Sequence, residues 1–592
     1  MAYIPTTIIG KTRENKKIAA LPLPVNGINL KAHWQSSDLS KCVAMKNLVP
    51  HNLGIKCRGS FEQIEGSSIQ DEGSFHSITC RPYCERIVMH YGNKIYTFCD
   101  GESNWQVLYE GVPDKDSMFC EFSSKLYLYS DTYVFSVDRS FNCIEEYPKA
   151  PIYMESLNTQ VATGLKTDNF HPNLLAPRIS VVYDESSESA FALPENRDVN
   201  RKVKAFADGE ELEVNEEKCT KKWVHLKKSV DDKVVTIEYY LEDPQIIKFN
   251  NLFSGCRECI AYGGTDAGGT RIFAGGNRQR PGEYCKSELI DPLCFYDNSI
   301  EKLGDGCDII TGFAKMYDSL LIFTDRSIYR MSYKLVDTGG FFSVKQITSN
   351  VGCDVPKSIQ LVENRVVFAN SAYGIHIVYY ADETGELNVL PISGNVNDGV
   401  DGILTCDTEL LKNGFSLDYD NKYYFCTAEK IYIWDYGMCG FTRSSSYENS
   451  QGRLVWYIWD NLEGDMLVSM NRKLYCIKSS NALVTKYNAD NNHDECSFVT
   501  EKYDLGRPLI QKRIVGMKLD MSLSQGSEVI LTLYNGDKPY FSQSIYSGKD
   551  EDVCVDIKLP EMKLYRFGYG LSTQNGLFEL KGAAVKLIYA AD

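Results

Sequence analysis

Few residues in this chain have a spacing that could do chemistry. Cys256-Arg257-Glu258-Cys259 is the one tight thiol pair among 20 cysteines. Two thiolates so spaced suit half of a zinc site, but a tetrahedral centre wants a second pair nearby, and none follows. The other cysteines are scattered through apolar runs, as in YYFCTAEK around Cys426 and KLYCIK around Cys476. They read as small buried hydrophobes of a reducing cytoplasm. The 8 histidines are dispersed, and no two have the helical spacing of a zinc protease. No Gly-x-Ser-x-Gly elbow, phosphate loop or dinucleotide fingerprint stands between a strand and a helix. GGTDAGG at 263–269 is glycine-rich but lacks the phosphate-binding lysine and the helix, so it reads as a long turn. Asp325, Asp435 and Asp460 follow strand-like runs, where aspartate forms turns. A glycosidase would pair carboxylates in a funnel, and the Asp-box repeats of sialidases are absent. Trp434-Asp435 matches the WD dipeptide without that repeat's regularity. RQRPGEY at 278–284 is the densest basic patch; it reads as a solvated loop or as a contact for a neighbouring protein or passing DNA. No catalytic residue, cofactor or metal ligand is expected, and the chain reads as a non-enzyme.

The elements around these residues are strands. At 592 residues the chain exceeds one simple core, so several domains or a repeat array are expected. It carries 38 Tyr, 26 Phe and 44 Gly and no long helical periodicity, which points to an all-β fold. A paired-strand phrase recurs: an apolar run, a short polar turn, then a run alternating large apolar and polar residues. SLLIFTDRSIYRMSY at 319–333 and NKYYFCTAEKIYIWDY at 421–436 are clear copies. Others lie at 85–98, 125–138, 259–276, 364–380 and 464–478. Apart from one interruption, successive copies lie about 40 to 60 residues apart, the period of propeller blades. A four-stranded sheet cannot bury both faces alone, and radial packing of blades does so. About seven blades are expected; ordinary sandwich hairpins are the competing reading.

The chain divides as follows. Residues 1–64 read as an arm, kept from helix by Pro22 and Pro24, then a short helix capped at Ser36-Ser37-Asp38, leading into the propeller. Residues 65–155 form its first part. Residues 156–245 interrupt it with a small inserted β-sandwich, more charged than its flanks, with strand-like runs at 178–183, 189–193, 203–207, 223–227 and 234–241 and a hairpin turn at Asp208-Gly209. Residues 246–491 resume the propeller and end in the polar linker NADNNHDE. Residues 492–592 alternate as a jelly-roll-like C-terminal β-sandwich, with a hairpin turn at Asn535-Gly536. The opening MAYIPTTIIGKTRENKK has no cleavage-like site, and no apolar stretch approaches the ~18 residues of a membrane helix, so neither a signal peptide nor a membrane-spanning segment is expected. The net charge of −16 speaks against a general nucleic-acid surface.

Three phrases near the start carry a resemblance: Gly27-Ile28-Asn29, Asn47-Leu48-Val49-Pro50, and Gly54-Ile55-Lys56-Cys57-Arg58-Gly59, the last with its glycine directly after Arg58. They resemble the opening of bacteriophage β-propeller proteins of the tail hub or nozzle, the head-to-tail connector and packaged-DNA stabilisation type. NLLAPR, FALP, DGE and VVTIEYY, in that order from 173 to 240, resemble an insert in the same proteins. YDLGRP with KRI, from 503 to 514, and YRFGYGL at 565–571 resemble their C-terminal sandwich. The resemblance implies a virion structural protein of the tail, made in the bacterial cytoplasm. It would form a homo-oligomeric ring of six copies below portal and adaptor, touching adaptor or portal-side proteins and tail fibres. Genomic DNA would pass its lumen without specific binding, and an acidic wall would avoid trapping it. The rival reading is a carbohydrate-binding or glycan-degrading propeller, a virion adhesin or depolymerase; a blander one is an intracellular scaffold.

Overall fold

A computed structural model describes residues 16–31, 39–51, 53–79, 82–160, 173–242, 244–263, 269–336, 339–380, 386–427, 429–438, 454–462, 464–491, 494–505, 509–573 and 575–589. The chain forms two compact units, one of residues 1–64, 371–479 and 483–592, the other of 65–370 and 480–482. It is all-β, with propeller-type four-stranded meanders and two sandwich regions.

The unit of 65–370 contains four antiparallel meanders. They begin at Phe75–Ile78, Ser117–Phe122, Glu258–Tyr262 and Ile310–Met316 and end at Gln106–Glu110, Cys143–Glu145, Ile300–Lys302 and Gly339–Thr348. Their second strands are buried on both faces; Ser319–Thr324 (SLLIFT) is buried at every position. A strand covered on both sides loses the polar alternation of a half-exposed one and reads as a continuous apolar run, which is why the repeated phrase was legible. The hairpin Gln360–Val362 with Arg365–Asn370 closes this unit's share of the repeat.

The turns explain the register. Ser123-Ser124, Glu363-Asn364, Asp420-Asn421 and Asn471-Arg472 each place two successive non-glycine residues at positive φ. That is the type I′ turn, whose twist matches two antiparallel strands. Each is followed by a cation that opens the next strand: Lys125, Arg365, Lys422 and Lys473.

The insert is built on a five-stranded sheet in the order Ile152–Leu157, Arg178–Ser186, Lys233–Tyr240, Lys204–Ala207, Glu210–Leu212. A two-stranded sheet, Ala190–Ala192 with Trp223–His225, covers it through Tyr183 and Phe191, rings 5.0 Å apart. Asp208 and Gly209 form the expected hairpin turn at φ +53° and +84°. The sheet starts at Ile152, inside the span read as propeller, and helix Pro244–Phe253 follows it. Phe249 and Phe253 of that helix join insert and second meander in one core, with Tyr129 edge-on to Phe253 at 5.7 Å.

The other unit holds the meander Phe415–Tyr419 to Trp456–Asp460, the hairpin Gly374–Tyr380 with Leu387–Pro391, and a last meander of Met466–Met470, Lys473–Lys478 and Leu483–Asn488 completed by Ser60–Gln63. Its sandwich has two sheets. One orders Leu48–His51, Gly54–Cys57, Phe578–Tyr589, Lys512–Leu523 and Glu551–Leu564, with Lys16–Ala20 added beside Phe578–Tyr589. The other orders Cys42–Lys46, Cys496–Thr500, Gly568–Thr573, Glu528–Asn535 and Lys538–Tyr546.

Three expectations are corrected here. Residues 16–20 are no loose arm but a strand paired with Phe578–Tyr589. The helix expected after Ser36-Ser37-Asp38, residues outside the described set, is replaced by strands Cys42–Lys46 and Leu48–His51. Asn47, at φ +57°, breaks the run between them, and each strand pairs into a different sheet, so distant partners override local propensity. Beyond them, Gly54–Cys57 belongs to the sandwich and Ser60–Gln63 to the last meander. The described strands of residues 16–64 are therefore shared between propeller meander and sandwich rather than preceding them.

Candidate functional site

The three opening phrases converge on one strand, Trp456–Asp460. Gly27 lies at its start: φ is +75°, and a Cβ there would fall 2.1 Å from the Trp456 carbonyl oxygen. The same oxygen accepts the Ile28 amide at 2.9 Å. Asn47 lies at the strand's end. Its amide donates to Ile458 O at 3.0 Å, its side-chain oxygen accepts the Asp460 amide at 2.9 Å, and its Nδ2 donates to Glu495 O at 2.8 Å and to the Asp460 carboxylate.

Arg58 completes the clasp, and its side chain is 0% exposed. Nε donates to Asn47 Oδ1 at 2.8 Å, Nη1 to Gly59 O at 2.7 Å, and Nη2 to Asp460 O at 2.7 Å and to the Asp494 carboxylate at 2.8 Å. Four of the five N–H groups of a guanidinium are thus placed. Its carbon lies 5.4 Å from the centre of the Trp459 ring, which stacks on Tyr487 at 5.7 Å and 7°. A buried guanidinium is costly unless its charge is paired and its donors are satisfied, and this setting does both. Gly59 is required beside it, because a Cβ there would meet Asn488 O at 1.9 Å. The polar stretch read as a linker, 488–495, contributes Asp494 and the Glu495 carbonyl, so its polarity is that of a clasp. The arrangement holds no reactive group free for substrate; what it does is tie the last two meanders to the sandwich.

The chemistry-bearing residues of the sequence are placed as follows. Cys256 and Cys259 donate to Leu252 O and Phe119 O, each at 3.4 Å, and burial pushes the Cys259 thiol well up, with the Cys120 thiol beside it. Among the described residues no three His, Cys, Asp or Glu side chains gather as metal ligands would. Gly263 and Gly269 flank residues 264–268, which lie between Glu258–Tyr262 and Arg271–Gly275 and outside the described residues, so the reading of a long turn falls outside them. In the patch 278–284, Arg280 is committed to Glu283 at 2.5 Å and Lys248 O at 2.9 Å, and Tyr284 to Glu301. Asp325 accepts the Ile309 amide at 3.0 Å and Asp435 the Met438 amide at 3.1 Å, both turn contacts. Asp460 belongs to the clasp.

One constellation was not singled out in the sequence. His90 Nδ1 and Ser117 Oγ share a hydrogen bond at 2.8 Å, and the His76 ring lies tilted against His90 with centres 4.6 Å apart while meeting Asp114 at 2.6 Å. In a catalytic triad the carboxylate orients the histidine that activates serine; here it reaches the other histidine. His90 is 0% and Ser117 6% exposed, so the pair ties Arg86–Tyr91 of the first meander to Ser117–Phe122 of the second. Burial, with His76 adding to it, pushes the His90 imidazole down to about 4.

No family model and no curated protein matches the chain. Among solved structures it is similar to PorZ, an essential bacterial surface component of the type-IX secretion system of Porphyromonas gingivalis, at 8% identity and TM-score 0.31, over 81% of this chain and 46% of that one. It is similar to a chain of the mitotic checkpoint complex at 8% identity and TM-score 0.32, over 74% and 95% of the two chains. It is also similar to apo AztD from Citrobacter koseri at 11% identity and TM-score 0.28, over 70% and 95%. The chain thus spans less than half the length of PorZ.

Proposed function

We propose that this chain is a structural subunit of a bacteriophage tail, a hub or nozzle ring around the DNA exit channel, assembled from copies of itself and presenting sites to adaptor and fibre proteins. The observation that carries the reading is the convergence of the three opening phrases. Gly27, Asn47 and Arg58 are the residues on which the resemblance to hub proteins rests, and all three clasp the strand Trp456–Asp460. Their spacing in sequence thereby acquires one physical purpose, a satisfied buried guanidinium that joins propeller meanders to a terminal sandwich. A subunit that carries load between neighbours benefits from such a tie. The net charge of −16 fits a wall that DNA passes without sticking. The test is mass spectrometry of purified virions after separating heads from tails. The chain is expected in the tail fraction at several copies per particle; its absence from virions refutes the reading.

A further inference from the structure

Alternation along the insert's strands sorts its side chains onto two faces. Ile179, Val181, Val235, Ile237, Tyr239 and Ala205 are buried on one. Arg178, Lys204, Glu238 and Tyr240 therefore lie on the other, with Arg178 opposite Tyr240 and Lys204 opposite Glu238 in register. This second face floors a cavity of about 410 Å³, whose remaining lining is Arg201, Lys202 and, from the second meander, Tyr133. That volume falls in the range of about 300–1,000 Å³ usual for small-ligand sites.

The charge of the cavity opposes that of the chain. Four cations line it against the single carboxylate of Glu238, in a protein of net charge −16. Arg178 is held in place by Pro148 O at 3.0 Å and by Glu238 at 3.5 Å. Arg201 stacks on Tyr240 with its guanidinium carbon 4.6 Å from the ring centre, and its Nε lies 3.9 Å from Asp198. Lys202 and Lys204 have no acidic group within ion-pairing distance among the described residues. Two oriented guanidinium groups and two unneutralised ammonium groups converging on one concavity are the groups that recognise phosphate, sulfate or carboxylate.

We infer that this cavity is a binding site for a small polyvalent anion, a ligand bearing two or more phosphate or carboxylate groups on a body no larger than a sugar or two. A long nucleic acid fits less well. Its affinity comes from an extended cationic track, whereas here the positive charge is confined to one cavity of an acidic protein. The site is independent of the hub reading and stands or falls separately.

The experiment is calorimetric titration of the full chain with inorganic pyrophosphate, with a short polygalacturonate oligosaccharide, and with a DNA duplex. Saturable one-to-one binding of pyrophosphate or of the oligosaccharide, weakening with added salt, is expected, and which of the two binds separates a phosphate ester from an acidic sugar as source. Lys202→Ala/Lys204→Ala is expected to weaken it by roughly tenfold or more per lysine. Since neither lysine holds an ion pair, this variant keeps the native circular-dichroism spectrum, and Lys227→Ala elsewhere on the insert keeps full binding. Failure of both small probes to bind at millimolar concentration overturns the inference. So does binding that the double variant leaves unchanged, or duplex binding tighter than either small probe and lost in that variant.

Discussion

Replacing Arg58 with methionine keeps most of the side-chain volume and removes the guanidinium. Asp494 then loses its partner at 2.8 Å, and Asn47 Oδ1, Gly59 O and Asp460 O each lose a donor. Breaking a buried ion pair by removing one member costs about 3–5 kcal/mol, and the Asp494 side chain is only 16% exposed, so water recovers little of that. Each 1.4 kcal/mol is a factor of ten in an opening equilibrium, so local opening becomes more frequent on the order of 10²–10³-fold. Hydrogen–deuterium exchange read by mass spectrometry localises the effect. Peptides covering Cys42–Lys46, Trp456–Asp460 and Cys496–Thr500 are expected to exchange faster by that factor, while Arg178–Ser186 of the insert is unchanged. Asp494→Asn is expected to give a smaller change at the same peptides, and the double variant less than the sum, because the two side chains act on one network. Exchange that moves by less than about threefold at all three peptides, or that rises equally in the insert, refutes the clasp.

Other consequences can be checked alongside. His90 is held at about 4 against an ordinary 6.5; the unfolded chain takes up its proton first as pH falls, so the contribution to stability is complete above 6.5, is lost between 6.5 and 4, and amounts to about 3 kcal/mol. His90→Gln is expected to flatten that part of the difference in a pH series of urea midpoints, and an unaltered slope contradicts it. Gly59→Ala is expected to cost several kcal/mol, read as the same exchange at Ser60–Gln63 and Leu483–Asn488, because its Cβ would lie 1.9 Å from Asn488 O. Among the described cysteines, Cys84, Cys307 and Cys554 are exposed and are expected to react first with a thiol reagent under native conditions, with buried Cys57, Cys285 and Cys353 labelled only on unfolding. Deleting residues 1–20 removes a strand that pairs over five positions with Phe578–Tyr589; the bared edge is expected to promote association, visible in light scattering.

The meanders were legible because each phrase is local. Five of the seven fall on the second and third strands of a group, as 125–138 does on Lys125–Ser130 and Tyr133–Val137, and those at 259–276 and 464–478 fall on the first and second. The insert's strands were legible for the same reason, with Asp208-Gly209 marking a turn that two positive φ values require. The fate of residues 16–46 was not legible, because the partners of their strands lie some 400 residues or more away and CVAMK carries no strong alternation of its own. The clasp was visible only as three short phrases, since Asp460 and Asp494 look like ordinary turn and linker residues until Arg58 reaches them. The basic cavity was hidden in the insert's high charge. Its signal is that Arg178, Lys204 and Glu238 stand at even positions on strands whose odd positions are apolar, a pattern that gains meaning only when three strands are set side by side.

Electron microscopy tests the central claim most directly. Negative-stain images of the purified chain, and of a phage particle that carries it, are expected under the proposed function to show a closed ring lying on the tail axis, of six copies as the resemblance implies. A chain that stays monomeric at every concentration, and that is missing from the axis of such a particle, contradicts the account.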